Sequence, residues 1–292
     1  MKRKTHRKKI RTTWLAWGLI LPSFAFLCLF TLYPILQTVY KSFFSQSLSQ
    51  VTPVYCGLQN FLSLAQDSTF RLSFINNLIV AAVTIPASIG IGVLMALFAN
   101  SVRRGKALIR VAFFYPTILP MVAVANIWLF IYTPQYGLAG LLNSSWNLLG
   151  TPGTVLPAII VMLVWKQSGY AMIFYLSGLQ NISHELYEAA RIDGAGPIRT
   201  FCSMTWPLLR PTTLFVTIIT LTDAYKIIDY IYTMTQGGPN NASNLILYYI
   251  YQVGFEFWNT GGASALTTIL IVMLMTVSSV VFYTRDRKTF YQ

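Results

Sequence analysis

The residues of this sequence with the clearest chemical potential are four ionisable side chains that stand inside long apolar stretches. Lys166 lies in the run VWKQSGY, and Asp223, Lys226 and Asp229 lie in the run TDAYKIIDY. A charge at the centre of a membrane helix costs about 2.5 to 3.5 kcal/mol, so each of these side chains is expected to face protein or water instead of lipid. Charges held in this way bind a polar solute, relay ions or pair with one another.

Two interpretations of these charges stay open. In the first, a polar translocation path contacts a hydroxylated or anionic solute, and its lining consists of Lys166, Gln167, Tyr170, Lys226, Asp229 and Tyr230. In the second, Asp223, Lys226 and Asp229 form a self-neutralising structural group, because their i,i+3 spacing places the lysine between two carboxylates on one helix face. Lys166 has no partner within its own helix, which makes it the better candidate for solute contact or for an ion pair between helices.

The residue patterns that perform covalent, metal or nucleotide chemistry are missing from the sequence. It contains no G-x-x-x-x-G-K-S/T phosphate loop, so ATP hydrolysis by that means is excluded. The two histidines, His6 and His184, and the three cysteines, Cys28, Cys56 and Cys202, show no catalytic or metal-binding spacing. We expect unpaired thiols, no metal, no cofactor and no enzymatic activity of the chain itself.

Composition indicates an integral membrane protein. Hydrophobic residues make up 55% of the 292 residues and charged residues only 10%, whereas soluble domains carry about 25% charged residues. Apolar stretches long enough to cross a membrane predict six transmembrane helices, at about 14–36, 75–99, 111–133, 154–178, 212–234 and 262–283. The predicted fold is therefore all-α and polytopic, with a basic tail at 1–13, a six-helix transmembrane domain at 14–283 and a C-terminal tail at 284–292.

Lysines and arginines are distributed unevenly about this predicted membrane domain. Seventeen of them lie in the basic tail, the loop at 103–110, the segment 180–211 and the C-terminal end, whereas the opposite side has only Lys41 and Arg71. The positive-inside rule then predicts that both termini and the segment 180–211 are cytoplasmic. A net charge of +13 would also suit nucleic-acid or phosphate binding by the tail, but the one-sided distribution favours a role in orientation.

The segment 180–211 is predicted to form a helix, a sharp turn and a second helix. Ser183 can cap the first helix, because serine accepts hydrogen bonds from free backbone N–H groups at a helix start. Gly194 and Gly196 end that helix, since glycine tolerates the left-handed conformation found there. Pro197 suits the first position of the next helix.

One face of the first helix in this segment is small and apolar. Leu186, Ala189 and Ala190 share it, because they are three and four residues apart. Alanine leaves the backbone accessible, so another protein's surface can approach closely. The segment is therefore predicted to be a docking element for a second protein, with an ordinary helix pair between two membrane spans as the alternative.

This segment resembles the cytoplasmic EAA loop of bacterial importer permeases of the ATP-binding cassette class. The residues that fit the family's spacing without a gap are Glu188, Ala189, Ala190, Asp193, Gly194, Ala195, Phe201, Pro207, Leu208, Leu209 and Pro211. Met204 and Trp206 depart from the pattern but are large and apolar, like the aliphatic residues they replace. The stretches GLQNF at 57–61, WKQSGY at 165–170 and TQGGP at 235–239 also look like family motifs, and the finer match is to sn-glycerol-3-phosphate importers and their sugar-importer relatives.

The resemblance implies a permease subunit in the bacterial cytoplasmic (inner) membrane that forms half of the pathway for a sugar, polyol or sn-glycerol-3-phosphate. Its implied partners are a second homologous permease subunit, a dimer of ATP-binding subunits, an extracytoplasmic solute-binding protein and membrane lipid, without nucleic acid. The EAA loop, defined as residues 180–211, would couple ATP hydrolysis to transport. The implied coupling residues are Glu188, Ala189, Ala190, Asp193, Gly194, Ala195 and Gly196.

A second hypothesis is a secondary transporter that is driven by an ion gradient, with Asp223, Lys226 and Asp229 as a proton or sodium relay. A simple experiment distinguishes the two hypotheses. An importer permease should co-isolate with an ATPase, whereas a secondary transporter should move its solute alone in vesicles.

Overall fold

The computed structural model describes residues 17–47, 50–102, 104–143 and 145–286. The predicted basic tail at 1–13 and most of the C-terminal tail lie outside these residues. The described chain is mostly helical and divides into two compact units, one of Met1–Leu64 with Val253–Ile269 and one of Ala65–Gln252 with Leu270–Gln292.

The first unit begins with a long apolar helix, α1 (Trp17–Lys41), which contains a π-helical turn at Cys28–Leu32. A hairpin of two antiparallel strands follows, β1 (Phe44–Ser47) and β2 (Gln50–Tyr55), and then α2 (Gln59–Gln66). After a π-helical turn at Gln252–Glu256, the unit also holds the start of the last helix, α14 (Thr260–Asp286). Throughout the described span of α1, no side chain is buried, as suits a helix in contact with lipid.

The hairpin corrects the prediction of an all-α fold. Phe44 pairs with Tyr55 in its register, and the side-chain amide of Asn60 donates hydrogen bonds to the carbonyls of Ser42 at 2.8 Å and Phe44 at 3.0 Å. The asparagine of the GLQNF stretch thereby attaches α2 to the hairpin. The run QVTPVY does contain the β-branched and aromatic residues that favour strands, so the sequence did indicate a strand here.

The second unit consists of helices alone in the part of the chain that the structure describes. In chain order they are α3 (Ser68–Ser101), α4 (Lys106–Ile118), α5 (Met121–Tyr132), α6 (Leu138–Leu142), α7 (Pro152–Gln180), α8 (His184–Ile192), α9 (Pro197–Thr200), α10 (Trp206–Leu208), α11 (Arg210–Tyr225), α12 (Asp229–Met234) and α13 (Ile246–Tyr251). A π-helical turn at Phe201–Thr205 joins α9 to α10, and the rest of α14 completes the unit.

Helices α3 and α7 pack along each other at the centre of this unit. A Cβ atom built on Gly92 would lie 2.6 Å from the Ala171 Cβ and 3.1 Å from the Met172 nitrogen. Only a residue without a side chain permits this approach, which is the way that small residues bring membrane helices together. Buried residues such as Ile159, Met162 and Tyr175 then fill the core on both sides of α7.

The described residues contain four helices long and apolar enough to cross a membrane: Trp17–Lys41, Ser68–Ser101, Pro152–Gln180 and Thr260–Thr284. A fifth is counted if α4 and α5, which meet at a bend of 97°, form one span. These segments coincide with five of the six predicted spans. The remaining predicted span, at 212–234, is divided between α11 and α12.

Two predicted spans are therefore broken instead of continuous. The span predicted at 111–133 breaks at Leu119 and Pro120, where proline has no N–H to continue the helical hydrogen bonds. The span predicted at 212–234 breaks after Tyr225 and resumes at Asp229. Irregular backbone at membrane depth is tolerated where it lines a cavity or is buried in protein, and both breaks border the same cavity.

Candidate functional site

A cavity of about 270 Å³ lies between α7 and the two helix breaks of the second unit. It contains all six side chains predicted to line a polar path, and Asp223 as well. Its lining consists of Thr117, Met121, Leu163, Lys166, Gln167, Tyr170, Asp223, Lys226, Ile227, Asp229 and Tyr230. Two acids, two bases, an amide and two phenols thus meet in one place, in a chain of which only 10% is charged.

Helix α7 supplies one wall of the cavity. Lys166, Gln167 and Tyr170 point to it, because positions i, i+1 and i+4 lie on adjoining parts of a helix surface. The Gln167 Oε1 atom is buried and has no hydrogen-bond partner among the described residues. A buried acceptor without a donor is costly, so this atom is suited to accept a hydrogen bond from a bound molecule.

The break between α11 and α12 supplies the opposite wall. Lys226 is the residue that follows α11, and its N–H donates to the Asp223 carbonyl at 3.1 Å. Asp229 lies in the first turn of α12, where the helix dipole favours a negative charge. The three charges are therefore not arranged on one face of a continuous helix, as their spacing had predicted. Within the described residues, no ion pair shorter than 4.0 Å joins Lys226 to either acid.

Lys166 has partners that its sequence context did not predict. Its Nζ atom lies 3.1 Å from the carbonyl oxygen of Pro116, 3.4 Å from that of Thr117 and 2.7 Å from that of Leu119. These carbonyls belong to the break between α4 and α5. The expectation of a solute contact or an interhelical ion pair is thus corrected in one respect, because the contact between helices is made with backbone oxygens and not with a carboxylate.

Two neighbouring buried asparagines were missed by the sequence analysis. The Asn77 amide donates to the Ala224 carbonyl at 3.1 Å, and its oxygen accepts from the Ile246 N–H at 3.2 Å. Asn76 donates to three carbonyls of the segment 241–244, which follows the Gly-Gly-Pro run. Polar pairs inside an apolar span need partners on other elements, and that signal could have identified them as residues that tie α3 to the end of α11 and to the segment 241–244.

A further polar contact joins the start of α3 to α13. The Tyr249 hydroxyl donates to the Asp67 carboxylate, which also accepts from the N–H groups of Thr69 and Phe70 as the N-cap of α3. Burial raises the pKa of Tyr249, and the hydrogen bond to Asp67 raises it further. The tyrosine therefore remains a neutral donor.

The EAA loop has the predicted helix, turn and helix. Helix α8 ends with the Ala195 N–H bonded to the Ala190 carbonyl at 2.9 Å and the Gly194 N–H bonded to the Arg191 carbonyl at 3.0 Å, which are the two hydrogen bonds of a Schellman motif. Gly194 has φ = +73°, and Pro197 opens α9. One detail differs: Ser183 is the N-cap residue, but its side chain makes no capping hydrogen bond.

No residue of α8 or α9 is buried, although both helices are fully described. Apolar side chains are among the exposed ones: Ile192 is 86% exposed, Ile198 79% and Leu186 39%. Glu188 pairs with His184 at 3.1 Å along the same helix. All seven predicted coupling residues thus lie together on an uncovered element with an apolar component.

A comparison with protein-family models matches residues 88–289 to the binding-protein-dependent transport system inner membrane component. The chain belongs to this family. The match covers α7, the EAA loop, α11 and α12, and so includes every predicted site residue. The family resemblance drawn from the EAA motif is confirmed.

Curated relatives extend the similarity over almost the whole permease. It is 31% identical to the sn-glycerol-3-phosphate transport system permease protein UgpA of Yersinia pestis, with 96% of this chain and 97% of the relative covered. It is 32% identical to the sulfoquinovosyl glycerol transport system permease protein SmoG of Agrobacterium fabrum, with 92% of each chain covered. Among solved structures, a bacterial ABC transporter involved in the import of the acidic polysaccharide alginate contains a chain with TM-score 0.83 at 22% identity, covering 97% of this chain and 99% of that one. That likeness concerns the fold.

Proposed function

We propose that the permease forms half of the translocation pathway of an ATP-driven importer and couples that pathway to a separate ATPase. The observation that carries the proposal is the exposure of α8 and α9, the two helices at the turn of the EAA loop, neither of which has a buried residue. An apolar, exposed and sharply turned element of this kind needs a partner surface. The coupling residues of the proposal are Glu188, Ala189, Ala190, Asp193, Gly194, Ala195 and Gly196.

The solute of the proposed importer is a sugar, a polyol or sn-glycerol-3-phosphate. Relatives at about one-third identity are named for sn-glycerol-3-phosphate and for sulfoquinovosyl glycerol, and both solutes carry hydroxyl groups. The cavity beside α7 offers acceptors and phenols for hydroxyl groups and aromatic rings against which a sugar can stack. Lys226, Asp229, Gln167, Tyr170 and Tyr230 are the proposed solute contacts.

In the proposed membrane arrangement six spans cross the bacterial inner membrane. The bent pair α4 and α5 makes the third span, and α11 with α12 makes the fifth. Both termini and the EAA loop face the cytoplasm, because the lysines and arginines cluster on that side. The tails at 1–13 and 284–292 are then cytoplasmic, and the hairpin of the first unit lies outside.

The proposed assembly contains a second permease of the same family, two ATP-binding subunits and an extracytoplasmic solute-binding protein. Closure of the ATPase pair would move α8 and α9 as a rigid unit and switch the access of the cavity from one side of the membrane to the other. An ion-driven transporter would need no such partners, and the family to which the chain belongs favours the importer.

Co-isolation tests the proposed function. A tagged chain, expressed with its neighbouring genes, should purify with an ATPase whose activity rises when the loaded solute-binding protein is added. Gly194→Val should lower that co-isolation about tenfold, because a β-branched residue at positive φ costs about 1–2 kcal/mol and alters the turn.

Gly153→Val is the matched control, since Gly153 is exposed at the start of α7, has no atom within 4 Å of a built Cβ and does not have positive φ. Its co-isolation should equal that of the wild type. A wild-type chain that transports solute alone in vesicles would contradict the importer proposal, and a Gly194→Val chain with full co-isolation would contradict the docking role of the turn.

A further inference from the structure

The break between α4 and α5 leaves backbone carbonyls without their helical partners. Helix α4 ends at Ile118, and the chain turns by 97° through Leu119 and Pro120 into α5. The last carbonyls of any helix lack intrahelical donors. The Pro116 carbonyl has no i+4 backbone donor, because the residue four positions on is Pro120, which has no N–H. Inside a membrane span, such carbonyls need donors from other protein groups or from a water-filled cavity.

Lys166 supplies hydrogen-bond donors to the carbonyls at this break. An ammonium group has three N–H donors, and three carbonyl oxygens lie within 3.4 Å of its Nζ atom: those of Pro116, Thr117 and Leu119. Its positive charge also stands at the C-terminal end of α4, where the helix dipole is negative. The protein therefore places one carbonyl acceptor near the ammonium group for each of its three donors.

A second hydrogen bond runs in the opposite direction. The Thr117 hydroxyl donates to the backbone carbonyl of Lys166 at 3.2 Å. The two residues are thus linked in both directions, the side chain of each to the backbone of the other. Thr117 and Met121, on either side of the break, both line the cavity.

We infer that Lys166 is a positioning residue that fixes the bend between α4 and α5 and, through it, one wall of the cavity. It acts on transport through the geometry of Thr117 and Met121 and not by binding solute with its ammonium group. The role in transport rests on the proposed function of the cavity, whereas the role at the bend does not. Solute contact on α7 then falls to Gln167 and Tyr170.

Distance measurements across the bend test this inference without any solute. Spin labels at Leu108→Cys on α4 and Phe130→Cys on α5 suit the measurement, because the native side chains are 75% and 53% exposed. The background replaces the three native cysteines by alanine, and the full chain is studied in lipid nanodiscs with the partners that co-isolate with it. Lys166→Met should broaden and shift the distance distribution, and Lys166→Arg, which keeps the charge and donors, should restore it.

Lys226→Met is the comparison variant, since Lys226 lines the same cavity and, among the described residues, makes no hydrogen bond to α4, and it should leave the distribution unchanged. In transport assays Lys166→Met should lower turnover about tenfold or more with little change in KM, because misplaced groups lose rate more than affinity. If Lys166→Met does not accumulate in the membrane, the milder Lys166→Gln replaces it in the same measurement.

An unchanged distance distribution, combined with a raised KM and unchanged turnover, would overturn the inference and make Lys166 a solute ligand. An unchanged distribution with wild-type kinetics would overturn it as well. Because the distances are read without solute or ATP hydrolysis, failure of the wild-type chain to co-isolate with an ATPase would count against the proposed function alone.

Discussion

At the scale of single residues, Lys226 and Asp229 have two possible roles that residue spacing leaves equal, solute contact and structural pairing. The spacing of Asp223, Lys226 and Asp229 allows a neutralised triplet, but the end of α11 places Lys226 outside a regular helix. In this arrangement Lys226 is exposed and has no ion pair within 4.0 Å among the described residues. Exposed charges that form no pair contribute little to stability, so the arrangement gives little weight to a structural pair.

We predict that Lys226→Met and Asp229→Asn weaken transport without weakening the fold. Each should raise the KM for solute about tenfold, the equivalent of about 1.4 kcal/mol, while thermal stability stays within about 0.5 kcal/mol. Uptake by the reconstituted importer and unfolding in nanodiscs are the two measurements. Glu256→Gln replaces an exposed acid outside the cavity lining. It should change neither the KM for solute nor the thermal stability.

The double variant, which combines Lys226→Met with Asp229→Asn, distinguishes a contact with solute from a structural ion pair. If the two residues act separately on the solute, the stability changes should add within about 0.5 kcal/mol. A stability coupling well above that value, with normal KM in the single variants, would identify the structural pair and remove both residues from the proposed path.

At the scale of the elements, the approach of α3 to α7 depends on one glycine. Gly92 is in contact distance of both the side chain of Ala171 and the backbone of Met172. The neighbouring Gly90 has no atom within 4 Å of a built Cβ, although it lies only two residues away on the same helix. Alanine substitutions at the two positions therefore distinguish the effect of helix packing from the effect of helix propensity.

We predict that Gly92→Ala lowers the free energy of unfolding by about 1–3 kcal/mol, the usual cost of overpacking a close contact. Gly90→Ala should be neutral or slightly stabilising, because alanine is the better helix former by about 1 kcal/mol. Thermal unfolding of both variants in the same nanodiscs is the measurement. Equal melting temperatures for the two variants would mean that α3 and α7 are not in the close contact described.

The two broken spans are also features of whole elements. In each, a side chain from a distant helix satisfies backbone groups that the break releases: Lys166 for the end of α4, and Asn77 for the Ala224 carbonyl near the end of α11. Breaks of this kind place polar backbone beside the cavity at little cost, because other helices supply the missing partners.

At the scale of the whole molecule, the native Cys202 offers a test of orientation. It is an exposed free thiol in the π-helical turn that follows α9, and the proposal places it in the cytoplasm. With Cys28 and Cys56 replaced by alanine, a membrane-impermeant maleimide should label Cys202 in inside-out vesicles and not in intact spheroplasts.

Leu142 ends α6, between the predicted spans at 111–133 and 154–178, and the proposal places it outside; its side chain is 80% exposed. Leu142→Cys should show the reverse labelling pattern in a background without the three native cysteines. Labelling of Cys202 from the exterior would refute the cytoplasmic EAA loop, and with it the proposed coupling to an ATPase. Such a result would leave the fold intact and the transport mechanism open.

The sequence by itself determined the membrane class, the family and the form of the EAA loop. These depend on local information: apolar runs of span length, a motif at fixed spacing, and glycine and proline at positions where the backbone requires them. Gly194 at positive φ and Pro197 at the start of α9 follow from their own chemistry, so no distant contact was needed to predict them.

Only the tertiary structure decided where the polar residues of the membrane domain act. Lys166 meets carbonyls about 50 residues away, and Asn77 meets the ends of helices about 150 and 170 residues away. Three residues of α7 and three at the break between α11 and α12 meet in one cavity. A buried charge must find donors or acceptors, but sequence periodicity does not say which helix provides them. That choice is made by packing, which brings α4 against α7 and α3 against α11, so that side chains of one helix satisfy the backbone of the other.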